Sequence, residues 1–393
     1  MESQGQGGQG GQVVVQLILE HFGGLKDPRV ARTKRHALSN VLVMALCAVI
    51  AGADGWEGLA QFARSRAQWL ASFLDMPHGV PCADTFRRVL CALHPQAFEA
   101  CMRRWMQALA REVRGQVVAV DGKSVRGALS KTLAGSPLHL VHVWASEQRL
   151  LLAQQAVAGA PGEVAAIPEL LAQLQLQGAV VTVDANGCTA KVAQAVVHAG
   201  ADYVLHLKGN RGPLYSHVKD MFAPVRANPE ASHSGVDTHS RSVSKGHGRR
   251  EVRTAWAVAL RPEDLPPSAH KWPRLRTAVL LRRERTLKGK VSQEWHYYLS
   301  SLPPQARKLT GLIRGHWGVE NGLHWCLDVC MGEDSRTIRH FNGAQNFAVL
   351  SRIALTLLRR EKTLKAGVPT RRKKAGWDTD YLLRVLLAGF PEN

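Results

Sequence analysis

Two hydrophobic periodicities divide the chain into a helical first part and a strand-rich remainder. Between about residues 27 and 114, apolar side chains recur at three- and four-residue steps, as at Trp56, Leu59 and Phe62. This spacing places them on one face of a helix, so this part is predicted to be helical. The apolar run Val41–Ala53 has 13 residues, whereas a bilayer span needs about 20, and it therefore indicates a buried helix.

One turn within the helical part suits a DNA-reading element. Asp84 can cap the predicted helix Thr85–Leu90, which carries Arg87 and Arg88. A turn followed by a short basic helix is an arrangement that enters the major groove in many proteins. The alternative is that the two arginines form a solvated helix face, which this segment alone favours. On the first interpretation, residues 27–114 form a helical DNA-binding domain.

At Gln116 the period of the apolar positions changes to two, which predicts strands separated by short connections. The order of three strands, then helix, strand, helix and strand, indicates a mixed sheet with βαβ crossovers, the topology of the RNase H-like fold. The predicted elements are strands Gln116–Val120, Pro137–Ala145, Arg149–Val157, Ala179–Val183 and Asp202–Leu207, with helices Glu163–Leu174 and Cys188–Ala199. Residues 115–210 would thus be the first part of an RNase H-like core.

The remaining segments complete an α/β architecture, an RNase H-like mixed sheet with an insertion, preceded by the helical domain. Residues 211–304 are predicted to be a strand-rich basic insertion, and residues 305–362 to return to the core as helices. Residues 363–393 form a basic C-terminal tail with a short helix. The Gly- and Gln-rich start, residues 1–26, is predicted to be a disordered tail.

Composition narrows the partner class. The net charge is +20, which points to a polyanion, nucleic acid first and a membrane surface second. Seven cysteines are an odd number in a long chain, which argues for a reducing cytoplasm and against a disulfide framework. The first residues show no basic and apolar regions of a secretory signal. A cytoplasmic protein that binds DNA and no membrane is the expectation.

Three acidic residues are the candidate chemistry. Asp121 and Asp184 each follow a predicted apolar strand, and the carboxyl ends of strands are where ligand sites gather in open α/β sheets. Glu320 is part of a predicted helix with His316, His324 and Asp328, which lie at four-residue steps along one face. A polar stripe of this kind indicates a helix packed over a site.

Three carboxylates that converge supply oxygen ligands for two Mg²⁺ ions, which can activate a nucleophile and stabilise the leaving oxygen of a phosphodiester. Lys123 and Arg126 follow the first acid, and Lys208 ends the strand after the second acid. These cations could contact DNA phosphates near the metals. The alternative for each is a solvated charge at a strand end.

Several passages together carry a family resemblance. The chain resembles the DDE transposases of the H-repeat-associated insertion-sequence family from about Asp27 to Arg360. The passages are Val118–Gly127, Val181–Cys188, Ala201–Asn210, Gly246–Arg253 and His316–Trp325, with the helical region around Ala51–Ala53 and Asp84–Val89.

The resemblance implies an RNase H-like catalytic core whose metal-binding triad is Asp121, Asp184 and Glu320. It also implies Mg²⁺-dependent cleavage at transposon ends, with Mn²⁺ as a substitute, and strand transfer by the freed 3′-OH. Two copies would pair two ends, so a homodimer or larger assembly on DNA is expected. The family usually has Lys-Ser-Asn-Glu where this chain has Ala160–Glu163, a departure that leaves the triad intact.

Several other polar residues are considered as DNA contacts or metal ligands. His247 and Arg249 could approach DNA or simply form a turn, and His316 is a further candidate for DNA contact. Cys326 and Cys330 with the nearby histidines match no common zinc finger and are interpreted as buried thiols. The rival functions are an inactive or repurposed DNA-binding protein and an RNase H-fold nuclease without strand transfer.

Overall fold

A single mixed sheet organises the molecule. The computed structural model describes residues 2–129, 137–236, 238–246 and 248–391. Within these residues nine strands follow the spatial order β3-β2-β1-β4-β5-β9-β8-β7-β6. The strands are β1 Val117–Leu129, β2 Pro137–Ala145, β3 Leu150–Val157, β4 Val180–Val183, β5 Asp202–Leu207, β6 Thr238–Gly246, β7 Arg249–Ala259, β8 Thr277–Leu287 and β9 Lys290–Ser300.

The first five strands have the predicted RNase H-like topology. Strands β1, β2 and β3 pair antiparallel, whereas β1, β4 and β5 pair parallel. Helices α7 (Gly159–Leu171) and α8 (Ala190–His198) make the crossovers that parallel pairing requires. Successive residues of β1 and β4 face two different apolar cores: Val117 and Val180 belong to one, and Val118 and Val181 to the other. Because these strands are buried on both faces, their sequences are continuous apolar runs.

The strand-rich region continues the same sheet. Strand β9 pairs antiparallel with β5, with Val204 opposite Ser300, and β8, β7 and β6 follow outward. The sequence predicts strands over Val252–Leu260, Arg274–Leu287 and Val291–Leu302, which β7, β8 and β9 confirm within a few residues, but β6 was not predicted. Its sequence, Thr-His-Ser-Arg-Ser-Val-Ser-Lys-Gly, has little apolar content because it is an edge strand, where charged and polar side chains discourage pairing with other chains.

The helices of the chain flank this sheet and form a helical layer beside β3. In chain order they are α1 Glu2–Phe22, α2 Leu38–Ala51, α3 Trp56–Ser65, α4 Ala67–Ala71, α5 Ala83–Ala92, α6 Pro95–Leu109, α7, α8, α9 Gly212–Met221, α10 Ala223–Ala227, α11 Ala306–His316, α12 Phe341–Arg360, α13 Val368–Trp377 and α14 Thr379–Leu387. No single described helix is long and apolar enough to cross a bilayer, although α2 and α3 pass that test together with a bend of 97° between them.

Helix α12 joins the helical layer to the sheet. It was assigned to the catalytic core by sequence, yet it packs against α2, α5 and α6 as well as against β2 and β3. Sixteen of its residues, Gly343 to Leu358, are buried. The side-chain amide of Asn346 donates to the carbonyl oxygens of Leu90 and Leu93, at 2.8 and 3.0 Å. The sequence boundary near residue 114 therefore does not separate two independent cores.

The prediction of disorder over residues 1–26 is wrong across α1. Val14, Leu17, Ile18 and Phe22 recur at three- and four-residue steps and are buried. That stripe packs α1 against α2, α6 and α14, and the Phe22 ring lies 5.3 Å from that of Phe98. The Gly- and Gln-rich first turns suggested disorder for the whole segment. The second half of the helix is amphipathic, and burial of its apolar face stabilises the helix.

The basic C-terminal tail is likewise folded. Arg371–Lys374 lie in α13, and α14 buries Tyr381, Leu382 and Leu386 against the helical layer. The predicted short helix near Tyr381–Leu387 is confirmed with a slightly earlier start.

The predicted capping role of Asp84 is also wrong. Helix α5 begins at Ala83 after an extended Cys82, so Asp84 lies within the first turn. Its carboxylate instead forms exposed ion pairs with Arg87 and Arg88, the latter at 2.6 Å. An acid in the first turn favours the helix through its dipole.

The buried stripe of α1 makes a stability prediction. Leu17 is 1% exposed, and we expect Leu17→Ala to lower the free energy of unfolding by about 2–5 kcal/mol because it leaves a cavity. Leu19 on the same helix is 44% exposed, so Leu19→Ala is the matched control and should change stability by less than about 0.5 kcal/mol. Chemical denaturation measures both, and equal stabilities would mean that α1 does not pack.

Candidate active site

The parallel register of β1 and β4 brings two acids together. Val120 pairs with Val183, so Asp121 and Asp184 come next on neighbouring strands. Asp184 follows the end of β4, as predicted, and its carboxylate accepts from the backbone N–H groups of Asn186 and Gly187. Asp121 does not end its strand, because β1 continues to Leu129.

A side chain on the residue after Asp121, Gly122, would displace a buried pair of polar groups. A Cβ on Gly122 would lie 1.9 Å from the Oε1 atom of Glu163 and 2.7 Å from the Nε2 atom of His139. Those two groups form a buried hydrogen bond with each other, and the Nδ1 atom of His139 lies 2.8 Å from the Ser124 hydroxyl. Sequence reasoning missed this cluster. A signal was available, since His139 and His142 are polar residues within the apolar strand β2.

The third acid is carried by an irregular helical segment. Helix α11 ends at His316, and π-helical turns follow over Glu320–His324 and Cys326–Cys330. The sequence predicts a regular helix over about Gln305–Leu327, and this prediction is therefore wrong in its second half. Wider turns of this type occur frequently at functional sites. The predicted polar stripe still faces the sheet, because His324 contacts Asp121 and Asp328 contacts Lys123.

One pocket collects the three acids. It lies over the carboxyl ends of β4 and β5 beside α11, and two predicted DNA-contact residues, Lys208 and His316, also line it. The lining residues are Asp121, Thr182, Val183, Asp184, Val204, His206, Lys208, His296, Tyr298, Ile313, His316, Trp317 and Glu320.

Crowding of the three acids acts most strongly on Asp121. Burial first, and then the neighbouring charges of Asp184 and Glu320, raise the pKa of its carboxyl to about 8. The Gly122 backbone N–H donates to Asp121 and opposes this shift, while Glu163 adds to it. Three acids held this closely repel one another, so a bound cation would relieve the repulsion.

The pocket histidines are neutral at physiological pH. Burial lowers the pKa of His316 to about 4, and its Nδ1 atom lies 2.9 Å from the Thr182 hydroxyl. Burial also lowers the pKa of His206 to about 3, with His296 and Lys208 adding repulsion of the imidazolium. His206 stacks on Tyr298 at 4.8 Å between ring centroids. These rings can therefore exchange hydrogen bonds without adding positive charge.

A buried chain of polar groups ends at Asp121. Glu333 and Arg352 form an ion pair in which both residues are 1% exposed. The Nη2 atom of Arg352 is 3.3 Å from Nε2 of His142, and Nδ1 of His142 is 3.1 Å from Nε2 of His324. The Nδ1 atom of His324 is 3.6 Å from the Oδ2 atom of Asp121. Burial lowers the pKa of both histidines, that of His324 to about 3.

Two of the predicted DNA contacts lie elsewhere on β1. Lys123 is 7% exposed, and its ammonium is 2.6 Å from a carboxylate oxygen of Asp328 and 3.6 Å from one of Asp334. The prediction that Lys123 contacts DNA is wrong for this arrangement, because the side chain is buried and its charge is paired. Arg126 is exposed, with its guanidinium Nε atom 3.9 Å from a carboxylate oxygen of Asp334, and its backbone N–H donates to the same carboxylate at 3.2 Å.

The other predicted contacts are outside the pocket. Arg87 and Arg88 are exposed on α5. Arg249 is exposed at the start of β7, 3.6 Å from Glu251. His247 lies outside the described residues.

The donor set matches a divalent cation by its chemistry, since carboxylate oxygens are the ligands that Mg²⁺ prefers. No group of three or more His, Cys, Asp or Glu side chains in the described part of the chain is already arranged to hold a metal ion. The fit therefore rests on the three acids that share the pocket. The seven cysteines are unpaired, and Cys326 and Cys330 are buried, as predicted.

Two family models match this chain. A model described as "DDE_Tnp_1-associated" matches residues 19–106, and one described as "Transposase DDE domain" matches residues 113–357. The second covers more than half of the chain and contains all three pocket carboxylates.

Full-length relatives come from Escherichia coli. The chain is 34% identical over 374 residues to "Putative transposase YncI" of strain O157:H7, with 95% of each chain covered. It is 33% identical over 373 residues to "H repeat-associated putative transposase YhhI" of strain K12, covering 94% of this chain and 97% of the relative. Among solved structures, a piggyBac transposase synaptic complex with hairpin DNA matches with a TM-score of 0.42 and 10% identity, covering 94% of this chain and 75% of that one.

The raised pKa of Asp121 makes stability depend on pH. Between its ordinary value of 3.8 and about 8, the folded state keeps a proton that the unfolded chain has lost, so rising pH favours unfolding. Asp121→Asn removes this effect. We compare the free energy of unfolding of the variant with that of the wild type, both treated with a chelator. As the pH rises from 5 to 9, this difference should shift by roughly 2–4 kcal/mol in favour of the variant.

Urea unfolding at several pH values measures this difference. Glu57→Gln removes an exposed carboxylate on α3 and serves as the control. A difference between Asp121→Asn and the wild type that stays flat with pH would contradict the charge crowding described above.

Proposed function

This chain belongs to the DDE transposase family, in its H-repeat-associated group, and on that premise we propose that it cleaves insertion-sequence ends and joins their 3′-OH to target DNA. The observation that carries the proposal is the presence of Asp121, Asp184 and Glu320 in one pocket. Strand register supplies the first two and the π-helical segment supplies the third.

The three carboxylates would hold Mg²⁺, or Mn²⁺ in its place. Such ions supply activation of the attacking hydroxyl and stabilisation of the charge on the phosphate. Lys208, exposed at the end of β5 and lining the pocket, binds a phosphate oxygen of the DNA strand. His316 is held by Thr182 at the pocket wall, where a neutral ring can accept or donate a hydrogen bond without repelling the cation.

The basic arm formed by β6–β9 is the proposed partner of the transposon ends. It is connected to the catalytic segment, because Trp317 beside Glu320 lies under the guanidinium groups of Arg253 and Arg283, at 5.3 and 4.9 Å. Arg249 at the start of β7 would contact phosphates. In the helical layer, Arg87 and Arg88 on α5 are exposed and suited to the same role. A homodimer or larger assembly would pair two ends.

Two other functions share these features. A repurposed or inactive copy would bind DNA without cleaving it, and a nuclease of the same fold would cleave without joining. The intact set of three pocket acids favours catalysis over binding alone. The family membership favours joining over simple hydrolysis.

The proposal predicts loss of chemistry without loss of DNA binding. With DNA from the boundaries of its own gene and Mg²⁺ or Mn²⁺, the wild type should cleave 3′ ends and join them to a plasmid. Glu320→Gln and Asp184→Asn should each reduce joining by about 10³-fold or more, since each removes a charged oxygen ligand.

Gel shift on the same DNA should show binding within about threefold of wild type for both variants, which separates chemistry from folding. Cleavage by Asp184→Asn at the wild-type rate would contradict the proposed mechanism. Cleavage by the wild type without joining would indicate the nuclease, and binding alone would indicate the inactive copy.

A further inference from the structure

A second concave surface lies behind the segment that carries Glu320. Trp317 and Glu320 face the catalytic pocket, whereas Asn321, Gly322 and Trp325 line a separate groove. This groove has a volume of about 780 Å³ and extends between the β2–β3 turn and the end of α12. One irregular helical segment thus forms a wall of both surfaces.

The groove is strongly basic. Its lining contains the single acid Glu147 and six basic residues, Arg111, Arg149, Arg359, Arg360, Lys362 and Arg371. The Arg371 guanidinium donates to backbone carbonyl oxygens of Leu358 and Leu364, among others. These acceptors are neutral, so the contacts orient the guanidinium without cancelling its charge. A fixed positive potential in a concave surface attracts phosphate groups.

Arg149 occupies an unfavourable backbone conformation at the groove edge. It lies in the turn between β2 and β3 with a φ of 51°, a left-handed position that glycine or asparagine would fill more easily. The residue is exposed. Trp325 is 53% exposed beside the same groove, which is unusual for so large an apolar side chain. A strained arginine and an exposed aromatic ring thus lie at the same basic groove.

We propose that this groove binds the phosphodiester backbone of DNA that continues past the catalytic pocket. The inference rests on the proposed function, because it assigns the groove to the same substrate. Arg149 and Lys362 would contact phosphates, and Trp325 would pack on a sugar or base. The DNA then contacts both sides of the Glu320 segment.

Fluorescence anisotropy with dye-labelled duplex and single-stranded DNA of equal length tests this proposal. Arg149→Gly suits the left-handed turn, so it should leave the melting temperature unchanged or higher. DNA affinity should nevertheless fall by roughly three- to tenfold, and the log–log salt slope should become shallower by about 0.9 for each phosphate that the variant no longer neutralises. Lys362→Ala should behave similarly, and Arg149→Lys should keep most of the affinity.

Lys191→Ala, which removes an exposed charge on α8, is the matched control and should bind like the wild type. Groove variants that bind both DNA forms with wild-type affinity and salt slope would overturn the proposal. A greater effect on the duplex or on the single strand identifies the form that occupies the groove. If the wild type itself bound no DNA, the proposed function would fail, a result distinct from failure of the groove alone.

The buried chain from Arg352 to Asp121 carries a second, independent inference. A guanidinium has only donors, so Nε2 of His142 must accept from Arg352. A neutral imidazole has one N–H, which is then on Nδ1 of His142 and donates to Nε2 of His324. The remaining N–H of His324 is on Nδ1, the atom 3.6 Å from Asp121. Arg352 thereby determines the tautomer of His324 although the two do not touch, because His142 lies between them.

We infer that Arg352 and His142 are positioning residues that aim an N–H of His324 at the Asp121 carboxylate. Glu333 fixes Arg352 from the other side. The nitrogen of this N–H lies 3.6 Å from Oδ2 of Asp121, so it attracts that oxygen electrostatically and favours one orientation of the carboxylate that is proposed to hold a cation. Partners of this kind orient metal ligands in many proteins.

Long-range ¹H–¹⁵N correlation spectra of histidine-labelled protein report which ring nitrogen is protonated. Both His142 and His324 should show the Nδ1–H tautomer, with signals assigned by their disappearance in His142→Asn and His324→Asn. An Nε2–H tautomer at His324 would overturn the inference, whatever the activity of the protein.

Titration with Mn²⁺ alone gives a second readout. His324→Leu should weaken binding by about 10-fold or more. His324→Asn should retain most of the affinity, because its amide can accept from His142 and donate to Asp121. Equal Mn²⁺ affinities for the Leu and Asn variants would contradict the positioning role.

Discussion

The parallel pairing of β1 with β4 is the constraint on which the rest of the site depends. Because Val120 is opposite Val183, Asp121 and Asp184 are the next residues on neighbouring strands and lie side by side where β4 ends. Burial there makes the charge of Asp121 costly, as its raised pKa shows. The other residues that line the pocket include imidazole rings that stay neutral, such as that of His316. They also include the cation Lys208.

Much of the sheet could be predicted from the sequence because its strands are buried on both faces. Strands β2 and β5 begin and end at the predicted residues, and the neighbouring position of Asp121 and Asp184 followed from topology. Edge strand β6 was missed because it has few apolar residues, and the prediction of strands relied on an apolar pattern. Helix α1 was missed because its first turns are Gly- and Gln-rich, whereas its packing depends on four residues, Val14, Leu17, Ile18 and Phe22, further along.

The surroundings of the acids were harder to predict because they depend on residues distant in sequence. Lys123 was interpreted as a DNA contact from its place after Asp121, but Asp328, 205 residues later, buries and pairs it. The histidine chain joins β2, the π-helical segment and α12. Periodicity describes which face a residue occupies, and it carries no information about a partner contributed by another element.

Helix α12 has a consequence for how copies of such a gene decay. It packs against α2, α5 and α6, and it also supplies Arg352, which contacts His142 beneath the pocket of the three acids. A reading frame interrupted before residue 341 would produce a chain whose helical layer lacks its central filler. Such a truncated product would lose the packing of its helical layer together with Arg352. A premature stop before this helix would therefore remove the contact that both layers share, and would not leave one of them intact.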